Sequence, residues 1–174
     1  MASYIWLFPL LFIFHDFEEI IGMRLWVARN GAYLSRRFPR FAFIFKIPNT
    51  EGFAIAVAEE LILILIISIL ALTNNRTAQL LWIGAFIGFT AHLVVHIAQT
   101  IIIRKYIPAL ATSFAILPLC IWITITCIQS TEYSLIEILA YSLIAIITIG
   151  ANLLLAHWIA RKYGKWVDDK LKKC

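Results

Sequence analysis

Long apolar stretches recur along this chain and restrict what it can fold into. LILILIISILAL begins at Leu61, and LIAIITIGANLLLA begins at Leu143. About 20 consecutive apolar residues suffice for an α-helix to cross the hydrocarbon core of a bilayer. Hydrophobic residues make up 62% of the chain and charged residues 14%, whereas soluble domains have about 45–50% and about 25%, respectively. The sequence therefore predicts an all-α, polytopic integral membrane protein.

Five apolar segments, joined mostly by short polar turns, predict five transmembrane helices in one domain that covers residues 1–174. The predicted spans lie near residues 5–27, 53–73, 78–103, 108–128 and 135–160. The connection 29–51 is basic and aromatic, so it is predicted to lie along the membrane surface. Residues 161–174 form a basic tail.

Basic residues are distributed unevenly over the connections between these spans. Fourteen of the fifteen Lys and Arg residues lie in residues 24–46, in residues 104–105 or in the tail, and only Arg76 lies on the other side. Because Lys and Arg are retained in the cytoplasm, the N-terminus is predicted to be outside and the C-terminus cytoplasmic, in a bacterial-type plasma membrane. The net charge of +5 follows from this asymmetry and suits anionic lipid headgroups. We expect membrane lipids as partners and no nucleic acid, and a homo-oligomer remains open.

Ionisable residues interrupt three of the predicted spans at matching depths. The first span contains HDFEE, the second contains an adjacent glutamate pair, and the third contains two histidines four residues apart. In the predicted orientation all of them lie in the cytoplasmic half, and residues at i, i+3 and i+4 share a helical face. One charge at the bilayer centre costs at least about 2.5–3.5 kcal/mol. A bound cation would offset that cost for several carboxylates at once.

Glutamate and histidine side chains from several helices can hold one or two metal ions. Paired histidines at i and i+4 can bind zinc, and inward-pointing Glu and His residues hold di-iron centres in helical bundles. We therefore predict a divalent metal, with zinc favoured and two irons as the alternative. The predicted ligands are His15, Glu19, Glu59, His92 and His96, and the predicted catalytic residues are Glu18, Glu60 and Tyr106.

Some assignments within this set stay open at the level of sequence. In each adjacent glutamate pair, either residue can face the ion. Arg24 is an alternative partner for a buried carboxylate, and His157 either reaches the membrane surface or adds a ligand. Glu137 is predicted to be an interface residue. A protonated, salt-bridged cluster without a ligand is the structural alternative to the metal site.

The segment HDFEE, residues 15–19, resembles the signature of the HXXEE family of small integral membrane proteins. That family is also described by a further histidine, here His92 or His96, and by a Tyr-X-Pro-Gly motif. The second motif is present as YIPA, with Ala109 at the position where glycine is expected. The resemblance covers the N-terminal two thirds of the chain. It implies a membrane protein with a His/Glu site and no particular activity.

The leading hypothesis is a metal-dependent membrane enzyme that hydrolyses a lipid or a lipid-linked substrate. A bound divalent ion lowers the pKa of its water towards about 7, and a nearby glutamate can accept the proton. Tyr106 would then hold or polarise a carbonyl group. One alternative is a di-iron oxidoreductase that acts on a lipid chain, since imidazole serves iron as well as zinc. Another is a proton- or metal-coupled transporter, although no inverted repeat is visible.

Overall fold

Five long α-helices form the protein in a computed structural model, which describes residues 1–41 and 49–173. Short 3₁₀ turns occur at Ala2–Tyr4 and Pro39–Phe41, and the described residues include no β-strand. The predicted all-α class is therefore confirmed. The helices are α1 (Leu7–Arg37), α2 (Thr50–Leu72), α3 (Arg76–Ile103), α4 (Leu110–Gln129) and α5 (Leu135–Leu171).

Four of these helices, α2 to α5, are long and apolar enough to cross a membrane. They indicate an integral membrane protein, as predicted. Helix α1 is not among the four, because Asp16, Glu18, Glu19 and Arg24 lie within its central turns. Its 31 residues nevertheless extend about 46 Å at a rise of about 1.5 Å per residue, which exceeds the thickness of the hydrocarbon core.

Two helices run further than the predicted spans. Helix α1 continues to Arg37, so residues 29–37 of the predicted surface connection are helical. The extension is stabilised by packing: Leu34 is fully buried against Ile103 and Ile107, and the Tyr33 hydroxyl donates to the Ile103 carbonyl oxygen at 3.0 Å. Residues 42–48 of the predicted connection and residue 174 of the tail lie outside the described residues.

Helix α5 likewise continues through the predicted tail to Leu171. Its last turns are fastened to the start of α2 by Asn49. The Asn49 side-chain amide donates to the Gly164 carbonyl oxygen at 2.8 Å and to Asp168 Oδ1 at 3.0 Å. The same side chain caps α2 by accepting a hydrogen bond from the Gly52 amide at 2.9 Å, which satisfies one of the free donors at a helix start. One asparagine thus sets the register between two helices.

Small residues allow α5 to pack closely against α2 and α3. A Cβ atom on Gly52 would lie 2.3 Å from the Ala160 carbonyl oxygen, and one on Gly84 would lie 2.7 Å from the Tyr141 carbonyl oxygen. Such close backbone approach is typical of helix packing in membranes. Helix α5 therefore packs directly along α2 and α3.

Side chains from α1 and α3 meet inside the bundle. Helix α1 packs against α2 and α4, while α3 packs against α2, α4 and α5. The Phe8 ring lies 5.2–5.8 Å from the ring centroids of Trp82, Phe86 and Phe89, distances typical of favourable aromatic pairs. The ionisable residues follow this aromatic cluster along both helices, about one to three turns closer to the α3–α4 connection.

Candidate metal centre

Three histidines and one glutamate converge between α1 and α3. Each offers one ligand atom, and these atoms all lie within 4.8 Å of one another. The centroid of the His15 ring lies 5.6 Å from that of the His92 ring and 5.2 Å from that of the His96 ring. We refer to His15, Glu19, His92 and His96 as the His/Glu cluster. It contains four of the five predicted ligands, and the structure brings them together from two helices that are distant in sequence.

The closest contacts in the cluster share one ring nitrogen, that of His96. Nε2 of His96 lies 2.8 Å from Nε2 of His92 and 3.0 Å from Oε1 of Glu19. A single ring nitrogen carries one proton or one lone pair, so it cannot serve both neighbours equally. Oε1 of Glu19 has no partner with hydrogen-bond geometry. Two ring nitrogens and a carboxylate oxygen thus lie close together, and each is an atom type that binds metal ions.

Most of the cluster is buried, and one of its ring nitrogens lacks a partner. His15 is fully buried, Glu19 is 8% exposed and His96 is 6% exposed, whereas the His92 side chain is exposed. Nε2 of His15 has no hydrogen-bond partner. A buried polar atom without a partner costs about 1–3 kcal/mol. A metal ion would satisfy that nitrogen, so the donor set and the unpartnered nitrogen of His15 both fit a bound cation.

Arginine and lysine do not neutralise the cluster in the described part of the chain. The ion pairs there join Arg76 to Glu137, at 2.7 Å, and His96 to Glu19. Arg24 is exposed and takes no part in either pair. Neutralisation of Glu19 by Arg24 is therefore not observed among the described residues. In the described part of the chain, the groups that can compensate the charge of Glu19 are the imidazoles of the cluster and any cation that the cluster binds.

The other ring nitrogen of His15 is held by helix α4. Nδ1 of His15 lies 3.0 Å from the Thr112 hydroxyl oxygen, and that hydroxyl lies 2.6 Å from Oε2 of Glu18. Thr112 is in the first turn of α4, so the helix start reaches the cluster. Thr112 was not among the residues that the sequence predicted. A threonine in an apolar span has no diagnostic spacing, and only its position three residues after YIPA relates it to a motif.

Glu18 lies beside the cluster and binds the start of α4. Its carboxylate accepts hydrogen bonds from the Thr112 amide at 2.8 Å, the Ala111 amide at 3.4 Å, the Thr112 hydroxyl and the Tyr106 hydroxyl. Ala109, the residue before α4, provides no side-chain cap. Glu18 therefore supplies the negative group that a helix start favours. Its hydrogen bond raises the pKa of Tyr106 to about 12.

The YIPA segment is fastened to α1 at several further points. The Trp26 indole N–H donates to the Tyr106 carbonyl oxygen, and the Lys105 ammonium donates to Asn30 Oδ1 at 2.9 Å. Pro108 packs over Gly22, where an added Cβ would lie 2.8 Å from the proline Cβ. The two sequence motifs are thus one structural unit, in which α1 holds the α3–α4 connection against the cluster.

The remaining acidic residues lie next to the cluster rather than in it. Glu59, predicted as a ligand, instead accepts a hydrogen bond from Asn152 of α5 at 3.1 Å and does not belong to the convergent group. Glu60 is half-buried on α2 and interacts electrostatically with Asp16 and Glu19. Asp16 is 6% exposed, and its Oδ2 has no hydrogen-bond partner. Two further carboxylates thus approach the site from its α1–α2 side.

Two predicted residues lie away from the cluster. His157 is exposed on α5, where its Nδ1 is 2.6 Å from the Leu153 carbonyl oxygen of its own helix. Glu137 forms a bidentate pair with Arg76 and completes a capping box with Ser134 at the start of α5. Glu137 therefore joins α3 to α5 at the other end of the bundle, in agreement with its predicted interface role.

Comparison with known proteins agrees with the motif at the centre of this site. Residues 6–123 match a family model described as "Protein of unknown function with HXXEE motif". Comparison with curated proteins and with solved structures returned no match. The matched region contains the whole His/Glu cluster, as well as Glu18 and Thr112. Since the match covers more than half of the chain, this protein belongs to the HXXEE family.

Proposed function

We propose that this protein is a metal-dependent integral membrane enzyme that hydrolyses a lipid or a lipid-linked substrate. The observation that carries the proposal is the convergence of three imidazoles and one carboxylate within 4.8 Å. Imidazole nitrogen and carboxylate oxygen are common zinc ligands, and the same set also suits iron. When bound, a divalent cation makes water acidic enough to be deprotonated near neutral pH and polarises a carbonyl group.

The spacing of the ligand atoms supports zinc without a large rearrangement. Bond lengths of about 2.0–2.1 Å in a tetrahedral site place ligand atoms about 3.3 Å apart. The contacts of His96 with His92 and Glu19 measure 2.8 and 3.0 Å, so these side chains need to separate only slightly. The other ligand atoms lie within 4.8 Å of one another, so the more distant ones would need to approach by about 1–2 Å.

Glu60 is the best-placed general base among the predicted catalytic residues. It is half-buried, it is in electrostatic range of Glu19, and it forms no side-chain hydrogen bond in the described part of the chain. The Glu18 carboxylate, by contrast, is occupied by four donors, one of which is the Tyr106 hydroxyl. We therefore assign proton transfer to Glu60 and a positioning role to Glu18 and Tyr106.

The exposed side of the cluster supports a lipid substrate. His92 is the exposed ligand, and Ala91 and Val95 beside it are also exposed. All three lie on α3, one of the helices that are apolar enough to cross a membrane. A substrate that approaches His92 would therefore come from the side of the bundle, through the acyl region of the bilayer. Such a route admits a hydrophobic molecule with a hydrolysable polar group.

We also propose that this end of the bundle faces the cytoplasm of a bacterial-type plasma membrane. The second half of α1, the α1–α2 and α3–α4 connections, and the end of α5 with the tail carry 14 of the 15 Lys and Arg residues, whereas Arg76 lies at the opposite end. The retention of Lys and Arg on the cytoplasmic side supports this orientation.

A di-iron oxidoreductase is the second candidate, and one observation favours it. Asp16 and Glu60 lie beside Glu19, and the Oδ2 atom of the buried Asp16 lacks a partner. Carboxylate-rich pairs of sites are typical of di-iron bundles. Two irons per chain in the purified protein would favour this candidate, and a single zinc would favour hydrolysis.

The experiment that tests the proposed activity uses the purified full chain in mixed micelles with lipid esters and amides. We expect turnover in the zinc-loaded protein, its loss after chelation and its recovery on adding zinc. Glu60→Gln is expected to reduce turnover by about 10²–10⁴-fold while zinc stays bound. Glu51→Gln is the matched control, because Glu51 is an exposed glutamate in the first turn of the same helix. Equal turnover with and without metal would contradict the proposal.

A further inference from the structure

We infer that Glu18 and Thr112 form a hydrogen-bond relay that fixes the tautomer of His15 and so sets the affinity of the His/Glu cluster for its cation. This inference rests on the proposed function, because it assigns a positioning role within the same metal site. It names Thr112, a residue outside both sequence motifs, as part of the site.

The direction of the relay follows from the number of protons on Thr112. Its hydroxyl has one proton and three oxygen or nitrogen neighbours: Glu18 Oε2 at 2.6 Å, His15 Nδ1 at 3.0 Å and the Ala109 carbonyl oxygen at 3.2 Å. The carboxylate is both the nearest acceptor and the charged one, and charge-assisted hydrogen bonds are the stronger kind. The Thr112 hydroxyl therefore donates to Glu18.

This leaves a lone pair on the Thr112 oxygen facing His15. A favourable contact at 3.0 Å then requires a proton on Nδ1 of His15. In neutral imidazole one nitrogen carries the proton and the other a lone pair. Nε2 of His15 is thus the bare nitrogen, and it is the same buried atom that lacks a hydrogen-bond partner. The relay therefore keeps His15 in the tautomer whose Nε2 can bind a metal ion, even when no ion is bound.

Glu18 is itself held rigidly enough to act in this way. Two backbone amides at the start of α4 and the Tyr106 hydroxyl bind its carboxylate, in addition to the Thr112 hydroxyl. The charged form of Glu18 is also favoured by the positive end of the α4 dipole. Carboxylates that orient a ligating histidine are a recurrent part of metal sites, and their loss typically weakens metal affinity by about 10–100-fold. Here a threonine is interposed between carboxylate and histidine.

The test measures zinc affinity of the full-length chain in detergent, by competition with a chromophoric chelator. Thr112→Val keeps the shape of the side chain and the backbone N–H to Glu18 but removes the hydroxyl. We expect it to weaken zinc binding by about 10–100-fold, and we expect Thr112→Ser to restore affinity close to that of the wild type. Thr124→Val is the matched control on α4, because the Thr124 hydroxyl donates only to its own helix, to the Cys120 carbonyl oxygen at 2.8 Å.

A spectroscopic readout separates positioning from general destabilisation. The visible absorption of bound Co²⁺ reports its coordination, so the valine variant should show a changed spectrum and the serine variant the wild-type spectrum. If Thr112→Val does not fold, Glu18→Gln replaces it, with the same expected loss of zinc affinity. Wild-type affinity and spectrum in the valine or glutamine variant would overturn the relay alone. A wild-type chain that binds no zinc would overturn the proposed function as well.

Discussion

Oε1 of Glu19 lies 3.0 Å from Nε2 of His96, yet the two groups are not aligned as a hydrogen bond. The same nitrogen lies 2.8 Å from Nε2 of His92. Burial of a carboxylate beside two imidazoles is costly unless its charge is compensated, and no arginine or lysine in the described residues provides that compensation. These contacts support the proposal that the cluster binds a cation.

A ligand that binds the folded chain stabilises it, so metal should raise the melting temperature. At a free metal concentration 100 times the dissociation constant, the expected stabilisation is about 2.7 kcal/mol. We predict that chelation lowers the melting temperature of the wild-type protein in detergent and that zinc restores it. The His96→Ala variant should melt at the same temperature with and without zinc. A zinc-dependent shift that persists in this variant would remove His96 from the ligand set.

The contact between Gly22 and Pro108 predicts a local effect on stability. Gly22→Ala places a Cβ atom 2.8 Å from the proline Cβ and 2.9 Å from its Cγ. The ring of Pro108 is rigid, so the α3–α4 connection has to move. Overpacking of this kind typically costs about 1–3 kcal/mol. We expect a lower melting temperature. Because Thr112 lies only four residues after Pro108, we also expect weaker zinc binding.

Gly31→Ala provides the matched control on the same helix. A Cβ atom at Gly31 would meet no atom within 4 Å, and alanine is a better helix former than glycine by about 1 kcal/mol. This variant should melt at the same temperature as the wild type or higher. If both alanine variants behave alike, the Gly22–Pro108 contact has no special role.

Ala109 has a backbone conformation that favours glycine, with φ 102° and ψ −17°. Non-glycine residues in such regions cost about 1–3 kcal/mol, whereas removal of the buried methyl group costs about 0.8 kcal/mol. We predict that Ala109→Gly is at least as stable as the wild type in thermal unfolding. Ala156→Gly, at a buried position inside α5, should lose about 1–2 kcal/mol. Equal losses at both positions would contradict the strain at Ala109.

The hydrogen bond from Tyr106 to Glu18 predicts a tyrosine that titrates at a higher pH than usual. Its folded-state pKa is about 12, above the ordinary value of about 10. The stabilisation that it contributes is therefore fully present below pH 10 and is lost as the pH rises through 12. Tyrosinate absorbance of the folded protein should include a group that titrates near pH 12, and Tyr106→Phe should remove it. An unchanged upper part of the titration curve would contradict this hydrogen bond.

The depth of each ionisable residue along its predicted helix was sufficient to predict most of the His/Glu cluster. Spans one and three are predicted to run in the same direction, both inward. HDFEE lies just past the middle of span one and the two histidines lie in the second half of span three, so both were expected at a similar level. In the structure, ligand atoms of His15, Glu19, His92 and His96 all lie within 4.8 Å of one another. The ends of the helices were harder to predict, since α1 and α5 continue past the apolar segments on contacts with other parts of the chain.

The sequence does not show which helix each glutamate of the two adjacent pairs contacts. Helical spacing shows that Glu18 and Glu19 share a face with His15, but it does not show which neighbouring helix that face meets. Glu18 meets the start of α4, while Glu19 meets α3. Likewise, Glu59 turns towards Asn152 because small residues of α2 pack against α5. Such packing sets the rotation of a helix about its axis. No local sequence pattern reveals that rotation.

Elemental analysis of the detergent-purified protein tests the metal site most directly, with wild type, His96→Ala and His157→Ala prepared side by side without chelators. His157 is the matched control, since it is an exposed histidine that contacts its own helix. We predict one zinc per wild-type chain, retention of that zinc in His157→Ala and its loss in His96→Ala. A wild-type protein without stoichiometric metal, or equal metal in both variants, would contradict the metal site.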